Sequence, residues 1–495
     1  MRLQKHLIIL GMIFLATFLL RIILAFQTPY LEYDGYFNLR QVEHIQKTGI
    51  PLYKDDLSYG GRVNIFPPVF QYVLALFSQF SSPEFAVKVI PNLFASTIVI
   101  FVYLVCNSLT GKKSVSLLSA FFSGFVPAFF SSTIAAVSVY SFVVPLFFFI
   151  VYLMLNFRKQ HILYVLFIAL LVLVFSHPII FVLILALIIH LLLLKVEGFE
   201  IRKQYLELLL FLTFFSIWIS FFIYNKAFLF HGISIIWQNI PGMLLQNYFI
   251  DINYLQIIYL VGFIPLVFGL ISVHHILFQY KRTNFLFIIS ISITFFILLL
   301  LKMVQLDIGL AFLSILLIIL SAHALDELIL YVQKTKFSTF IIPAFVVIII
   351  VFLFTSFFQA IVLASEQVKK SPSAEDVKAL VWLKENSHVG QTVLGSIDEG
   401  YLITYYAQRK NVADNNFLLV KNINTRYDEV TKVFDLKLET EAVRILNKYE
   451  VDYIYFSEES ISSRKSLPGY LSDFSCFTLI YNQTVKIFNV HCRLT

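Results

Sequence analysis

The chain reads as a polytopic α-helical membrane protein of about eleven transmembrane helices with a C-terminal extracytoplasmic α/β domain. Three observations predict this. Of 495 residues, 59% are hydrophobic and only 14% charged, more apolar mass than a water-soluble core needs. That mass falls in repeated runs of about 18 or more residues, long enough to cross a bilayer. Near Ala364 to Pro372 the composition turns mixed, and short helix and strand patterns alternate from there on.

The first run, Leu7 to Phe26, is read as a span because no small-residue cleavage site follows it. The later spans start near Val87, Ser114, Ser141, Ile162, His177, Leu206, Tyr254, Phe285, Ile308 and Phe337. Cytoplasmic loops carry the Lys and Arg of a membrane protein. Here Arg2 and Lys5 lead the chain, and every second loop is basic: Lys112-Lys113, Arg158-Lys159, Lys195 with Arg202-Lys203, Lys281-Arg282, and Lys334 with Lys336. This alternation predicts an inside N-terminus and an outside C-terminus in a multi-pass protein of the cell membrane. The net charge of +7 reflects those loops, and no pattern of a nucleic-acid module is present.

Residues 1–363 thus form the membrane domain, with a large external loop at 27–86, and residues 364–495 form the external domain. Within the loop, "FPPVFQYVLALFSQF" (Phe66 to Phe80) is apolar but too short to span. It reads as a helix along the membrane surface. A second external surface helix is read at Trp237 with "QNIPGML", anchored by its ring. In the tail, Ser373 to Asn386 has an N-cap serine and helical spacing. "TVLGS" is a strand, "TEAVRILNKYE" a helix and "VDYIYFS" a strand. "CFTLIYNQTVKIFNVHC" reads as two strands around an Asn-Gln turn. Cys476 and Cys492 flank that hairpin and are either bridged or two free thiols. Cys106 lies in a span. Asn482 begins an Asn-x-Thr sequon on the turn.

The chemistry concentrates in "EYDGYFNLR". Gly35 permits a tight turn, and aromatics surround Asp34. A carboxylate at the membrane face binds a divalent cation or takes a proton from a nucleophile. If a helix follows, Asn38 and Arg40 lie within two turns, and Arg40 is placed to hold a phosphate. Glu32, Asp55 and Asp56 read as solvated loop residues. His177, in "VFSHPIIF", either binds a lipid phosphate when protonated or is an interfacial residue before a helix-starting proline. His190, His274, His275 and His323 receive no role.

"YDGYFNLR" and the following "IQKTGIPLYKDDLSYGG" and "FPPVFQYVLALF" resemble the first external loop of the oligosaccharyltransferase catalytic subunits, members of the GT-C glycosyltransferases. Asp34, Tyr36 and Phe37 match that family's D-x-[WY]-[FY] pattern. In the tail, "GSIDEGYLITYYAQRKNVADNNF" resembles the region of the family's W-W-D-x-G motif. Asp398 and Gly400 match its Asp and Gly; Arg409, Ala413, Asp414 and Asn415 match the segment after it. The resemblance implies a catalytic centre at Asp34 and Tyr36, with Asp34 on a Mg²⁺ or Mn²⁺ ion. It also implies acceptor binding at Asp398 and Gly400, and a polyprenyl- or dolichyl-linked glycan as donor. Arg40, His177 and Lys302 are the donor-phosphate candidates.

Four positions depart from the pattern. The second external loop, Ser131 to Ser141, has no acid where the family has a pair. Ser396 and Ile397 replace the two Trp. The loop from Asn225 to Asn253 offers Asp251 but no Glu. In "LKMVQLDIGLAF", Asp307 sits about where the family has an Arg, leaving Lys302 nearby. The expectation is a glycosyltransferase using a polyprenyl phosphate or diphosphate donor on the outer face. Its acceptor is protein Asn by resemblance, or another lipid or a glycan given the departures. The alternative is a non-catalytic relative that binds lipid-linked glycan or assists a transferase.

Overall fold

A computed structural model describes residues 2–135, 137–157, 159–201, 203–236, 254–335, 341–464 and 467–493. The readings at Trp237, Asp251, Arg158, Arg202 and Lys336 lie outside the described residues. Each of the eleven predicted spans is helical. The first is Arg2–Ala25. The second starts at a proper cap: Ser82 accepts from the Phe85 N–H at 3.3 Å, Pro83 occupies the first turn, and Glu84 complements the helix dipole. It is continued by Ile98–Thr110 and ends at Gly111 with φ 69°.

Among the described residues, six helices are long and apolar enough to cross a membrane unaided. Tyr140–Leu155, Gln160–Ser176 and Ile180–Val196 are apolar but shorter. Two predicted spans are broken. The one starting near Ser114 forms Lys113–Gly124 and resumes as Pro127–Ser132 after an extended Val126, because Pro127 removes a backbone donor. The one starting at Tyr254 bends by 86° between Leu255–Val261 and Phe263–Phe278. The hinge is Gly262, with φ 92°, where an added Cβ would lie 2.7 Å from Ser356 Oγ. Only glycine fits both demands.

The predicted surface helix is Val69–Phe77, nine residues, too short to cross. Phe70 and Leu74 are fully buried and Leu76 is exposed.

The tail forms the predicted α/β unit. Ser373 and Asp376 make a reciprocal capping box on Ala374–Glu385. The strands are β3 (Thr392–Leu394), β4 (Lys410–Asn411), β5 (Val451–Phe456), β6 (Phe477–Asn482) and β7 (Lys486–Val490), while β1 (Lys54–Asp55) and β2 (Arg62–Val63) pair in the external loop. The sheet runs β4-β3-β5-β7-β6, parallel from β4 to β5 and antiparallel beyond. Cys476 and Cys492 are bridged just outside the β6–β7 hairpin. A loop closed over 16 residues is stabilised by about 3 kcal/mol. Cys492→Ser is therefore expected to speed amide exchange in β6 and β7 by roughly a hundredfold. Unchanged exchange would mean the bridge carries no stability.

The loop at 27–86 is packed onto the tail. Tyr36, Leu39 and Val42 share a buried cluster with Leu380, Leu383, Tyr401 and Tyr455. Polar contacts add to it. Arg62 pairs with Asp414 at 2.9 Å, and both side chains are buried. Asp414 also accepts from Ser58 Oγ and from Asn411 Nδ2. Tyr59 donates its hydroxyl to the Asp414 carbonyl at 2.6 Å and lies under the Arg62 guanidinium. This interlock sets the loop's chemistry against the tail's.

Candidate active site

Asp34 stands at the N-cap of the helix Gly35–Thr48, a position where Asp ordinarily bonds the first free N–H groups. Its side chain caps nothing. It turns instead to Asn415, whose Nδ2 donates 2.9 Å to Asp34 and 3.0 Å to Asp398. One amide therefore braces two carboxylates from opposite ends of the chain. Like charges held this close repel one another. Crowding by protein pushes Asp34 up to about 6, against the Asn415 hydrogen bond, with Asp398 and Asp414 adding to the rise. Asp34 is exposed to solvent and opens into a cavity.

That cavity holds about 810 Å³ and lies between the external loop, the membrane helices and the tail. Its polar wall includes Glu32, Asp34, Asn38, Gln71, His177, Asp307 and Asn415, and its rings include Phe37, Phe66, Tyr140, Tyr224, Tyr401 and Phe417. The volume suits a small-molecule headgroup. The acid-free second loop contributes Ser131, Ser132 and Ser138.

The sequence candidates separate in space. Asp34, Asp398 and His177 gather at or beside the cavity. The His177 ring accepts the Ile179 N–H at Nδ1, 3.0 Å away, and lies 4.9 Å from the Tyr140 ring. This leaves its neutral form Nε2–H as the donor.

Four candidates are placed elsewhere. Arg40 does not line the cavity: it grips Asp55 with two bonds of 2.8 and 2.9 Å. Asp55, read as solvated, is 2% exposed. A buried carboxylate needs such a partner, and Arg40 holds its acid below the usual range against the cost of burial. Tyr36 is buried between the Tyr405 and Tyr406 rings, each 5.3 Å away, and its hydroxyl meets Tyr406 at 3.4 Å. Residues two apart on a helix point to different sides, so Tyr36 leaves the face that Phe37 and Asn38 share with the cavity. Gly400 serves packing. A Cβ there would lie 2.2 Å from the Ala413 carbonyl, so the chain crosses too closely for any side chain. Lys302 is exposed in the turn after Thr283–Leu300, outside the cavity wall, whereas Asp307 lines it.

Glu32, read as solvated, is instead half-buried in the wall. Burial and the charges of Asp34 and Asp398 push it up to about 7, with Lys370 opposing. Asp56 is exposed as expected. Asn415 had no role assigned from the sequence; its place in "VADNN" was visible but its bridge was not. Asn38 and Gln71 went unassigned because amides in a loop carry no spacing signal. Arg409, in the same motif region, binds Ser387 and the Lys384 carbonyl and so closes the end of Ala374–Glu385.

Convergent carboxylates with only a neutral amide between them fit a hard divalent cation, which takes oxygen ligands. Asp34 and Asp398 are the residues that would hold it. Among the described residues, the one group of three with metal-ligand spacing is Glu439, Asp473 and Cys476, away from this pair, and the Cys476 sulfur is committed to the disulfide.

No family profile and no curated protein matches the chain. Solved structures do. The Archaeoglobus fulgidus oligosaccharyltransferase in its apo form superposes with a TM-score of 0.70 at 16% identity, over 92% of this chain and 70% of that one. The same enzyme has been solved tethered to an acceptor peptide containing an NVT sequon, and with an inhibitory peptide and a dolichol-phosphate. It has also been solved with Zn and sulfate. ArnT from Cupriavidus metallidurans bound to undecaprenyl phosphate matches with a TM-score of 0.58 at 10% identity, over 97% of both chains. Mycobacterial arabinofuranosyltransferase AftD matches with 0.55 at 10% identity, over 98% of this chain and 40% of that one. The fold is therefore that of GT-C membrane glycosyltransferases, a helical body followed by a C-terminal region that carries the sheet.

Proposed function

We propose that the chain is a membrane glycosyltransferase that moves a sugar or oligosaccharide from a polyprenyl phosphate or diphosphate to an acceptor. The observation that carries this is the cavity lined together by Asp34, Asn415 and His177, with Asp398 held to it through Asn415. The lipid phosphates bound by two proteins of the same fold support the donor class.

In the reaction, an acceptor heteroatom attacks the anomeric carbon and the bond from that carbon to the donor phosphate breaks. The phosphate leaves with the electron pair. Asp34 orients the acceptor and takes its proton. His177 Nε2–H donates to the leaving phosphate. A divalent cation on Asp34 and Asp398 would supply positive charge for the developing anion.

The basic-loop alternation and the Cys476–Cys492 bridge support a cell-membrane protein with residues 364–495 outside, since disulfides persist in oxidising compartments. Protein Asn is the acceptor implied by the fold's oligosaccharyltransferase members. Ser396 and Ile397 at the Trp positions favour a lipid or glycan instead.

The test is transfer by the purified chain in detergent, supplied with native lipid-linked glycans and either an Asn-x-Thr peptide or native lipid acceptors. Product formation that stops with EDTA and returns with Mn²⁺ is expected. The acid-free second loop favours a second reading, a non-catalytic binder of lipid-linked glycan. Donor binding without turnover on any acceptor would establish that reading instead.

A further inference from the structure

We infer that Asn38 and Gln71 form the wall that reads the donor's sugar, with Gln71 Oε1 accepting a hydrogen bond from a sugar hydroxyl. This rests on the transferase reading above and names a specificity contact for it.

The argument starts from a chain of forced orientations. Asn38 lies one helical turn after Asp34, on the same face. Its Nδ2 donates to the Val137 backbone carbonyl at 2.8 Å. A carbonyl only accepts, so the amide cannot be reversed. Asn38 Oδ1 then faces Gln71 and accepts from Gln71 Nε2 at 2.9 Å. Gln71 is oriented in turn, and its Oε1 is left buried with no partner among the described residues. The residue is 6% exposed and belongs to the cavity wall.

A buried amide oxygen without a donor is destabilising, and such groups are rare in folded proteins. The oxygen has almost no accessible surface, so an O–H group reaches it by displacing the wall as it seats, and the bond then made removes the deficit. The surroundings select the class of ligand. Asp34 adds a further acceptor. Phe37 stands edge-on to Phe66 at 5.4 Å and packs against Tyr401 at 5.3 Å, so flat apolar faces lie beside the acceptors. A hexose ring carries hydroxyl donors on its rim and C–H groups on its faces. A site built to bond a hydroxyl rejects the analogue that lacks it, because the site's own polar group stays unpaired.

The experiment measures binding to the full chain in detergent. Its probes are undecaprenyl phosphate, the same lipid phosphate carrying glucose, mannose or galactose, and the deoxy forms of whichever hexose binds best. Gln71→Met, of equal length, is expected to weaken the best hexose lipid by roughly three- to tenfold and the bare lipid phosphate by less than about twofold. One deoxy form should show the same loss with wild type and no further loss with the variant. Equal weakening of bare and sugar-bearing lipid, or a deoxy penalty that persists in Gln71→Met, would overturn the assignment while leaving the transferase reading intact. Wild type that binds none of the probes would overturn both.

Discussion

Asp34→Asn is expected to lower transfer by roughly a hundred- to ten-thousand-fold while donor binding stays close to that of wild type. The substitution keeps the size of the side chain and one oxygen acceptor for Asn415 Nδ2, so the 2.9 Å contact can persist. It removes the negative charge and the site that takes the acceptor's proton. It also leaves Asp398 as the one carboxylate on Asn415 to hold a cation. The measurement is single-turnover transfer with saturating lipid-linked glycan, compared with donor affinity under the same conditions. A loss confined to the rate identifies a group that acts in the transition state. A variant that transfers within tenfold of wild type would remove Asp34 from the chemistry, and with it the proposed mechanism.

The second large effect is on the loop that presents Asp34. Arg62→Leu leaves the Asp414 carboxylate, fully buried, without its 2.9 Å partner. Breaking a buried pair on one side costs about 3–5 kcal/mol. Because the pair joins β2 to the segment after β4, the loss should appear as local opening. Exchange of the amides at 54–63 is expected to rise by roughly a hundred- to thousand-fold, with little change in the membrane helices. Arg62→Leu combined with Asp414→Leu should recover much of that protection, since no uncompensated charge remains. Transfer should fall with the single change, because the opened loop carries the helix that follows Asp34. If 54–63 exchanges as in wild type, the interlock is not what holds the loop.

The membrane helices were legible because an apolar run is a local property: each residue declares its solvent preference alone. The tail was legible for the same reason, through the Ser373 cap, the helical spacing of 439–448 and the strand pattern of 451–456. The breaks at Pro127 and Gly262 were written in the residue types, but the 86° bend depends on what packs beside the hinge. At the site, Asp34 stood out as an acid among aromatics, and the family resemblance added Asp398. Tyr36 and Arg40 were misplaced for distinct reasons. Tyr36 was chosen by motif, and helix geometry turns it to Tyr405 and Tyr406. Arg40 reads from the sequence as a phosphate ligand, and the structure instead commits it to Asp55, fifteen residues on.

Residue types alone specify a helical membrane protein with an α/β tail and an acid set among aromatics after its first span. Packing brings Asn415, 381 residues on from Asp34, to bridge Asp34 and Asp398, sets Glu32 and Asp307 in the cavity beside Asp34, and leaves Gln71 with an unpaired oxygen. Periodicity reports which face of an element avoids water. It carries no information on which distant polar groups must satisfy one another once water is gone, and that pairing is what builds the site.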